Sequence, residues 1–304
     1  MQPSNRQLIV IAGPTAVGKT DLSIEVARNL ETAIVSADSR QFYRELDIGV
    51  AKPSETQLSS VPHYFINSNS INTHYSAGDF ERDALPLITK LFQTHRHVVL
   101  TGGSGLYIKA ICEGLDDLPQ PVSGLRETLE TRLQTAGIAQ LRAELTAIDP
   151  DFLQFADPQN TRRILRALEV FHTTGQPYSS FLKRDVANRP FQIIPIALQR
   201  PRQELYQRIN QRCDQMLADG LIEETQNLAA FRYQNALQTV GYKEIFGFID
   251  GQTDYDEMVR LFKQNTRRYA KRQMTWFRNQ GNFKWFSADD LTGVLAHIQN
   301  YNSL

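Results

Sequence analysis

An apolar run, Leu8-Ile9-Val10-Ile11-Ala12, ends directly in Gly13-Pro14-Thr15-Ala16-Val17-Gly18-Lys19-Thr20, and a helical pattern carrying Leu22, Ile24, Val26, Ala27 and Leu30 follows at once. A short continuous apolar run is the form of a strand buried on both faces of a parallel sheet. The next eight residues match G-x-x-x-x-G-K-[ST] in full, in the strand-then-helix setting that gives the motif its meaning. Its glycines let backbone N–H groups curl around phosphate oxygens, and the helix start adds a positive dipole end. Lys19 supplies a point charge, and the Thr20 hydroxyl is placed to hold a magnesium ion. Residues 13–20 are therefore expected to bind phosphate groups. The motif does not say what happens to those phosphates.

Ala33-Ile34-Val35-Ser36, Val98-Val99-Leu100-Thr101 and Ile193-Ile194-Pro195-Ile196-Ala197-Leu198 read as further core strands, the last against the objection of its proline. Strands alternating with helices predict an α/β fold: a P-loop-type parallel sheet flanked by helices. Between Leu118 and Phe191 the texture becomes helical, broken at Asp149-Pro150, Asp157-Pro158 and Gly175-Gln176-Pro177. This stretch lies between two core strands, so residues 118–191 are expected to be an inserted helical subdomain. Residues 1–117 and 192–304 then form the core, almost wholly helical after Pro201.

Two cysteines make no disulfide framework and no paired Cys/His spacing suggests zinc. The N-terminus is polar and no run of about 18 apolar residues occurs, which predicts a cytoplasmic protein without membrane contact. Lys+Arg and Asp+Glu are 33 each, so any polyanion surface must arise from local segregation of charge.

Such segregation occurs twice. Arg260 to Arg278 holds seven basic residues and no acid, with Arg260, Lys263, Arg267 and Lys271 at helical spacing beside Phe262, Tyr269 and Trp276. Arg162, Arg163 and Arg166 cluster opposite Ile164, Leu168 and Phe171. Both could grip a phosphate backbone; both could equally be solvated helix faces.

Asp38 follows the second strand, at a carboxyl end where ligands gather in open α/β sheets, though one Asp there also suits a turn or a cap. Thr101-Gly102-Gly103-Ser104-Gly105 follows the third strand without the acidic residue of many nucleotide hydrolases. Arg212 projects within the apolar stripe Leu205, Ile209, Cys213, Met216, Leu217, and a guanidinium aimed at a core needs an anion, either a buried carboxylate or a ligand. His95 and His97 read as surface histidines, and Cys213 as a buried thiol.

These blocks together resemble the tRNA dimethylallyltransferase family. The match takes in residues 13–20, Asp38-Ser39-Arg40-Gln41-Phe42-Tyr43, Asp47-Ile48-Gly49-Val50-Ala51-Lys52-Pro53 and Tyr75-Ser76-Ala77. It continues through Gly102 to Tyr107, Arg163 to Val170, Val240-Gly241-Tyr242 and Ala270 to Trp276. Departures are Val50 for Thr, Phe42 for an aliphatic residue, Ser104 for Thr, and Lys243-Glu244 for Arg-Gln; Lys243 keeps the charge but not the bidentate fork.

The resemblance implies transfer of a dimethylallyl group from dimethylallyl diphosphate to the exocyclic amine of an adenosine beside the tRNA anticodon, with magnesium present and the protein acting as a monomer. Asp38 would be the general base, Lys19 and Arg212 would act on the diphosphate, and Gly13, Pro14, Thr15, Ala16, Val17, Gly18, Lys19 and Thr20 would cradle it. The tRNA anticodon stem-loop would meet Asp38, Ser39, Arg40, Gln41, Ser104, Arg126, Arg162, Arg163, Ile164, Leu165, Arg166, Gln238, Thr239, Val240, Gly241, Tyr242 and Lys243. Competing readings are a small-metabolite P-loop kinase, a nucleotide-dependent RNA-binding switch, and prenylation of free adenine nucleotide.

Overall fold

A computed structural model describes residues 6–120, 122–182 and 186–301; the polar N-terminal residues 1–5 lie outside them. The chain divides into two compact units, residues 1–113 with 188–304, and residues 114–187. The first unit opens with β1 (Gln7–Ala12), α1 (Lys19–Asn29), β2 (Ile34–Ser36), α2 (Glu55–Ser60), β3 (His63–Tyr64), α3 (Ala77–Leu91), β4 (His97–Gly102) and α4 (Gly105–Glu113). The second unit holds α5 (Leu125–Ile148), α6 (Phe152–Phe155) and α7 (Thr161–Thr174). The chain then completes the first unit with β5 (Gln192–Gln199), α8 (Arg202–Ala218), α9 (Leu221–Asn227), α10 (Tyr242–Ile249), α11 (Tyr255–Asn279), β6 (Lys284–Ser287) and α12 (Leu291–Asn300).

The six strands form one sheet in the order β3-β2-β4-β1-β5-β6, every pair parallel. β1 lies at its centre, Leu8 to Ala12 without exposed surface, as a strand covered on both faces must be. Pro195 is accommodated because β6 pairs with β5 only from Ile196 onward; at Pro195 the strand has β1 on one side alone. Two strands escape the sequence reading. β3 has two residues and β6 four, both at sheet edges and too short to show a period. After Pro201, β6 is the one strand among the described residues, in a stretch otherwise built of helices.

Because β4 enters between β1 and β2, the carboxyl ends of these three strands sit side by side. Ala37 N donates to Thr101 O at 2.7 Å, locking the β2 and β4 ends together. The contact is so close that a methyl group on Gly102 would collide with the Ala37 backbone oxygen. Gly102→Ala is expected to cost about 1–3 kcal/mol, since backbone must move to admit it, and urea unfolding would measure the loss. An unchanged midpoint would mean that the two strand ends can part freely.

In the second unit α5 turns sharply at Gly137, whose φ of 76° leaves the helical path. α7 is capped by the Asn160 side chain, which accepts from Arg163 N, and ends at Gly175 with φ 73°. Leu129, Leu141, Leu145, Phe152, Ile164 and Leu168 form its core. Asp149, buried beside Pro150, accepts from Phe152 N at 3.1 Å and Ser179 N at 2.8 Å, so this break in the helical pattern is a built corner.

Candidate active site

The loop between β1 and α1 has three residues with positive φ, Gly13 at 154°, Ala16 at 63° and Gly18 at 112°. This alternation turns successive amides toward one concavity. The amides of Ala16, Val17, Gly18, Lys19 and Thr20 donate to no group among the described residues. They are free for an anion. The loop is held by groups the sequence reading did not single out. Arg200 Nε donates to Val17 O at 2.7 Å, and Arg208 Nε to Ala16 O at 2.9 Å. Gln273 Oε1 accepts from Thr15 N at 2.9 Å. Arg208 and Lys52 join Lys19 and Arg212 around the cleft over the start of α1, where net positive charge favours phosphate. Only a charge count over several separate elements would have found them.

Lys19 Nζ donates to Pro14 O at 2.8 Å. Burial brings its pKa down to about 8, an effect that Asp38 opposes and Arg212 reinforces. The ammonium is therefore present below pH 8 and is lost above it. A bound diphosphate stabilises the ammonium and raises its pKa, so anion affinity is highest below about pH 8 and weakens as pH rises through it, by at most about tenfold per unit. Lys19→Arg stays charged throughout. Pyrophosphate titrations at pH 7 to 9.5 should show an extra loss in the wild type that the variant lacks; parallel curves would remove Lys19 from anion binding.

Asp38 lies just beyond β2. Its Oδ1 accepts from Arg40 N at 2.9 Å and Gln41 N at 3.3 Å, so the turn reading of this residue is realised. Its Oδ2 has no hydrogen-bond partner among the described residues, and Asp38 lines the cavity that Lys19 and Thr20 enter. One oxygen holds the turn while the other is available for chemistry. Ser104 Oγ accepts from Ser39 N at 2.9 Å, and Gln41 Nε2 donates to Ala51 O at 3.0 Å, fixing the turn on both sides. Segment 47–51 is itself anchored by Glu224, which accepts from the amides of Asp47, Ile48 and Gly49 and from the Tyr242 hydroxyl at 2.6 Å.

α8 and α11 close the cavity with Ile209, Met216, Phe262 and Tyr269, joined by Val240. Arg212 is seated among them. Its Nη2 lies 3.4 Å from Ala51 O, and among the described residues no carboxylate stands within 4 Å of it. Burial lowers its pKa and Asp38 only partly offsets this. The salt bridge allowed from sequence is absent among the described residues. Cys213 is buried, its Sγ 3.6 Å from Thr266 Oγ1, and burial raises its pKa, which makes it a weak nucleophile.

Several positions expected to meet RNA have buried side chains or are buried outright. Ile164 and Leu165 are 0% and 2% exposed in the second unit's core, and Tyr242 is 0% exposed, so their side chains serve packing. Gly241 is buried too. Arg162, Arg163 and Lys243 are exposed. Arg126 and Arg166 both pair with the buried Glu169, at 3.1 and 3.4 Å. Gln238 donates to Arg232 O at 2.7 Å, while Thr239 and Val240 line the cavity. On α11 the expected basic row is split: Arg260 and Lys271 are exposed, Lys263 and Arg267 are not. Lys263 pairs with Asp214 at 2.6 Å and Arg267 with Asn210 at 2.5 Å, both on α8, whereas Arg268, Lys271, Arg272 and Arg278 face outward. No helix among the described residues is long and apolar enough to cross a membrane.

Comparison with known proteins finds relatives along nearly the whole chain. A family model described as IPP transferase matches residues 41–280. The tRNA dimethylallyltransferase of Cytophaga hutchinsonii is 48% identical over 295 residues, covering 97% of each chain. The tRNA dimethylallyltransferase 1 of Bacteroides thetaiotaomicron is 43% identical over 295 residues, 97% of this chain and 96% of that one. Among solved structures, the full-length tRNA isopentenylpyrophosphate transferase of Bacillus halodurans superposes with a TM-score of 0.69 at 37% identity, covering 98% and 96% of the two chains. A eukaryotic dimethylallyltransferase acting on tRNA shares the fold, with a TM-score of 0.81 at 24% identity over 98% of this chain and 80% of that one. Matched along nearly its whole length at such identities, the chain belongs to the IPP transferase family of tRNA dimethylallyltransferases.

Proposed function

We propose that this enzyme transfers a dimethylallyl group from dimethylallyl diphosphate to the exocyclic amine of an adenosine beside the tRNA anticodon, releasing diphosphate. The observation that carries the reading is one cavity with three kinds of wall: an anion cradle, a carboxylate oxygen without a partner among the described residues, and an apolar face from α8 and α11. A diphosphate ester of a short hydrocarbon needs the first and third, and an amine losing a proton needs the second.

In the reaction the allylic carbon–oxygen bond breaks and a carbon–nitrogen bond forms. The electron pair of the broken bond leaves with the diphosphate, so negative charge grows on the bridging oxygen as the group departs. Lys19, Arg212 and the amides from Ala16 to Thr20 are aimed at that charge and hold it more tightly as it develops. The adenine amine is a poor nucleophile because its lone pair is delocalised into the ring; Asp38 Oδ2 takes its proton as the new bond forms.

The donor set around the cradle suits a magnesium ion. Thr20 offers a hydroxyl without a hydrogen-bond partner among the described residues, beside a cavity wall carrying Ser36 and Asp38. These are hard oxygen donors, and magnesium binds through few protein groups together with phosphate oxygens and water. Thr20 would hold it, and the ion would neutralise charge on the leaving diphosphate. On the RNA side, exposed Arg162 and Arg163, with Arg268, Lys271 and Arg272, supply phosphate contacts, while Glu169 orients Arg126 and Arg166.

Incubation with magnesium, unmodified tRNA and dimethylallyl diphosphate, followed by nuclease digestion and mass spectrometry, should yield prenylated adenosine. Prenylation confined to free AMP, or ATP-dependent phosphorylation of a metabolite, would overturn the reading.

A further inference from the structure

Glu224, on α9, directs its whole carboxylate at a short stretch of backbone that precedes it by at least 175 residues. Oε2 accepts from Asp47 N at 3.1 Å and Ile48 N at 2.8 Å, while Oε1 accepts from Gly49 N at 3.0 Å and from the Tyr242 hydroxyl at 2.6 Å. Burial, together with the Glu224 carboxylate beside it, raises the Tyr242 pKa, so the hydroxyl keeps its proton and donates. Each carboxylate oxygen thus holds two donors, as an anion fills a concavity of successive amides. Past these amides the segment turns on itself, Ala51 N donating to Ile48 O at 3.0 Å. The Tyr242 ring presses on the same turn, where a methyl group on Gly49 would lie 2.5 Å from it. The turn delivers one atom to the site. Ala51 has φ 50°, a left-handed conformation that a residue with a side chain keeps only where its surroundings hold it. Its carbonyl oxygen accepts from Gln41 Nε2 at 3.0 Å and lies 3.4 Å from Arg212 Nη2. With no carboxylate beside it among the described residues, Arg212 takes its orientation from this carbonyl and from its packing against Ile209 and Met216.

We propose that Glu224 is a positioning residue for Arg212: by clamping residues 47–49 it holds the Ala51 carbonyl in place, and that carbonyl aims the guanidinium at the departing diphosphate. The inference rests on the diphosphate-ester reading above and adds what sets the geometry of its buried cation. Glu224 is not among the described residues that line the cavity, so its action runs through the backbone. The Ala51 carbonyl also receives Gln41, whose own backbone N–H donates to Asp38 Oδ1. One acceptor therefore keeps the arginine and the carboxylate turn in register. A guanidinium that meets developing charge is sensitive to its placement, since a shift of about 1 Å at such a group costs up to about 10²-fold in rate.

The test is a double-mutant cycle on the whole protein, read as single-turnover rates with saturating magnesium, tRNA and dimethylallyl diphosphate. Glu224→Gln keeps the side chain's length but turns an NH2 group against backbone N–H groups, so the clamp loses at least one bond. The rate should fall by about 10–10²-fold. In the Arg212→Met background the same substitution should cost no more than about threefold, because the group it positions is gone. Equal losses in both backgrounds would mark Glu224 as a structural anchor and overturn the proposal. So would a loss below about threefold in the otherwise native enzyme. A wild-type rate in Arg212→Met alone would overturn the assignment of Arg212 to the diphosphate, and this inference with it. Should Glu224→Gln not fold, Glu224→Asp carries the same cycle and is decided by the same outcomes, because it keeps the charge but stops one methylene short of the amides.

Discussion

Asp38→Asn should lower turnover by about 10²–10⁴-fold while pyrophosphate affinity stays within a few fold of the wild type. The substitution isolates one atom. Oδ1 accepts from Arg40 N and Gln41 N, and an asparagine carbonyl does the same, so the turn after β2 persists. Ser104 and Gln41 continue to brace the turn from either side. What changes is Oδ2, a proton acceptor replaced by an amide that can only donate. Single-turnover kinetics with saturating tRNA and donor would read the proton-transfer step free of product release. Asp38→Ala would be the poorer experiment, because it removes the turn acceptor too and confounds geometry with chemistry. A turnover within a few fold of the wild type would show that the amine loses its proton elsewhere.

The fold was legible in the sequence where local patterns were long enough to have a period. Leu8 to Ala12 and Val98 to Thr101 are continuous apolar runs because β1 and β4 are covered on both faces, and the breaks at Asp149-Pro150 and Gly175 coincide with helix ends. β3 and β6 were not legible, since two and four residues at an edge carry no period. The site divides the same way. Lys19, Thr20 and Asp38 sit at fixed offsets from strands and could be placed from sequence. Arg208, Glu224 and Gln273 could not, because each acts on a loop more than 150 residues away, a pairing that only the packed sheet creates. Helical spacing also misjudged half of the basic row on α11. It marks which residues share a face, not which faces solvent, and Lys263 and Arg267 proved to face Asp214 and Asn210 on α8.

Arg212→Met should move activity and stability in opposite directions. The guanidinium sits beside Ile209, Cys213 and Met216 with the Ala51 carbonyl, 3.4 Å away, as its hydrogen-bond acceptor, and burial lowers its pKa. A desolvated cation without a carboxylate costs stability, whereas a methionine of similar length fills the same space and prefers it. Thermal unfolding without ligand should therefore rise by roughly 2–4 °C, the shift that about 1 kcal/mol produces in a chain of this size. Turnover should fall by about 10²–10³-fold, the loss that follows removal of one preorganised group stabilising transition-state charge. Pyrophosphate should correspondingly raise the melting temperature of the wild type more than that of the variant, because in the wild type it also relieves the unpaired cation. A structural arginine gives the reverse stability result: its removal lowers the melting point, and turnover falls only as far as the fold is lost. If Arg212→Met melts lower than the wild type, the guanidinium is holding the protein together, and the charge that meets the departing diphosphate must come from Lys19, Lys52 and Arg208 instead.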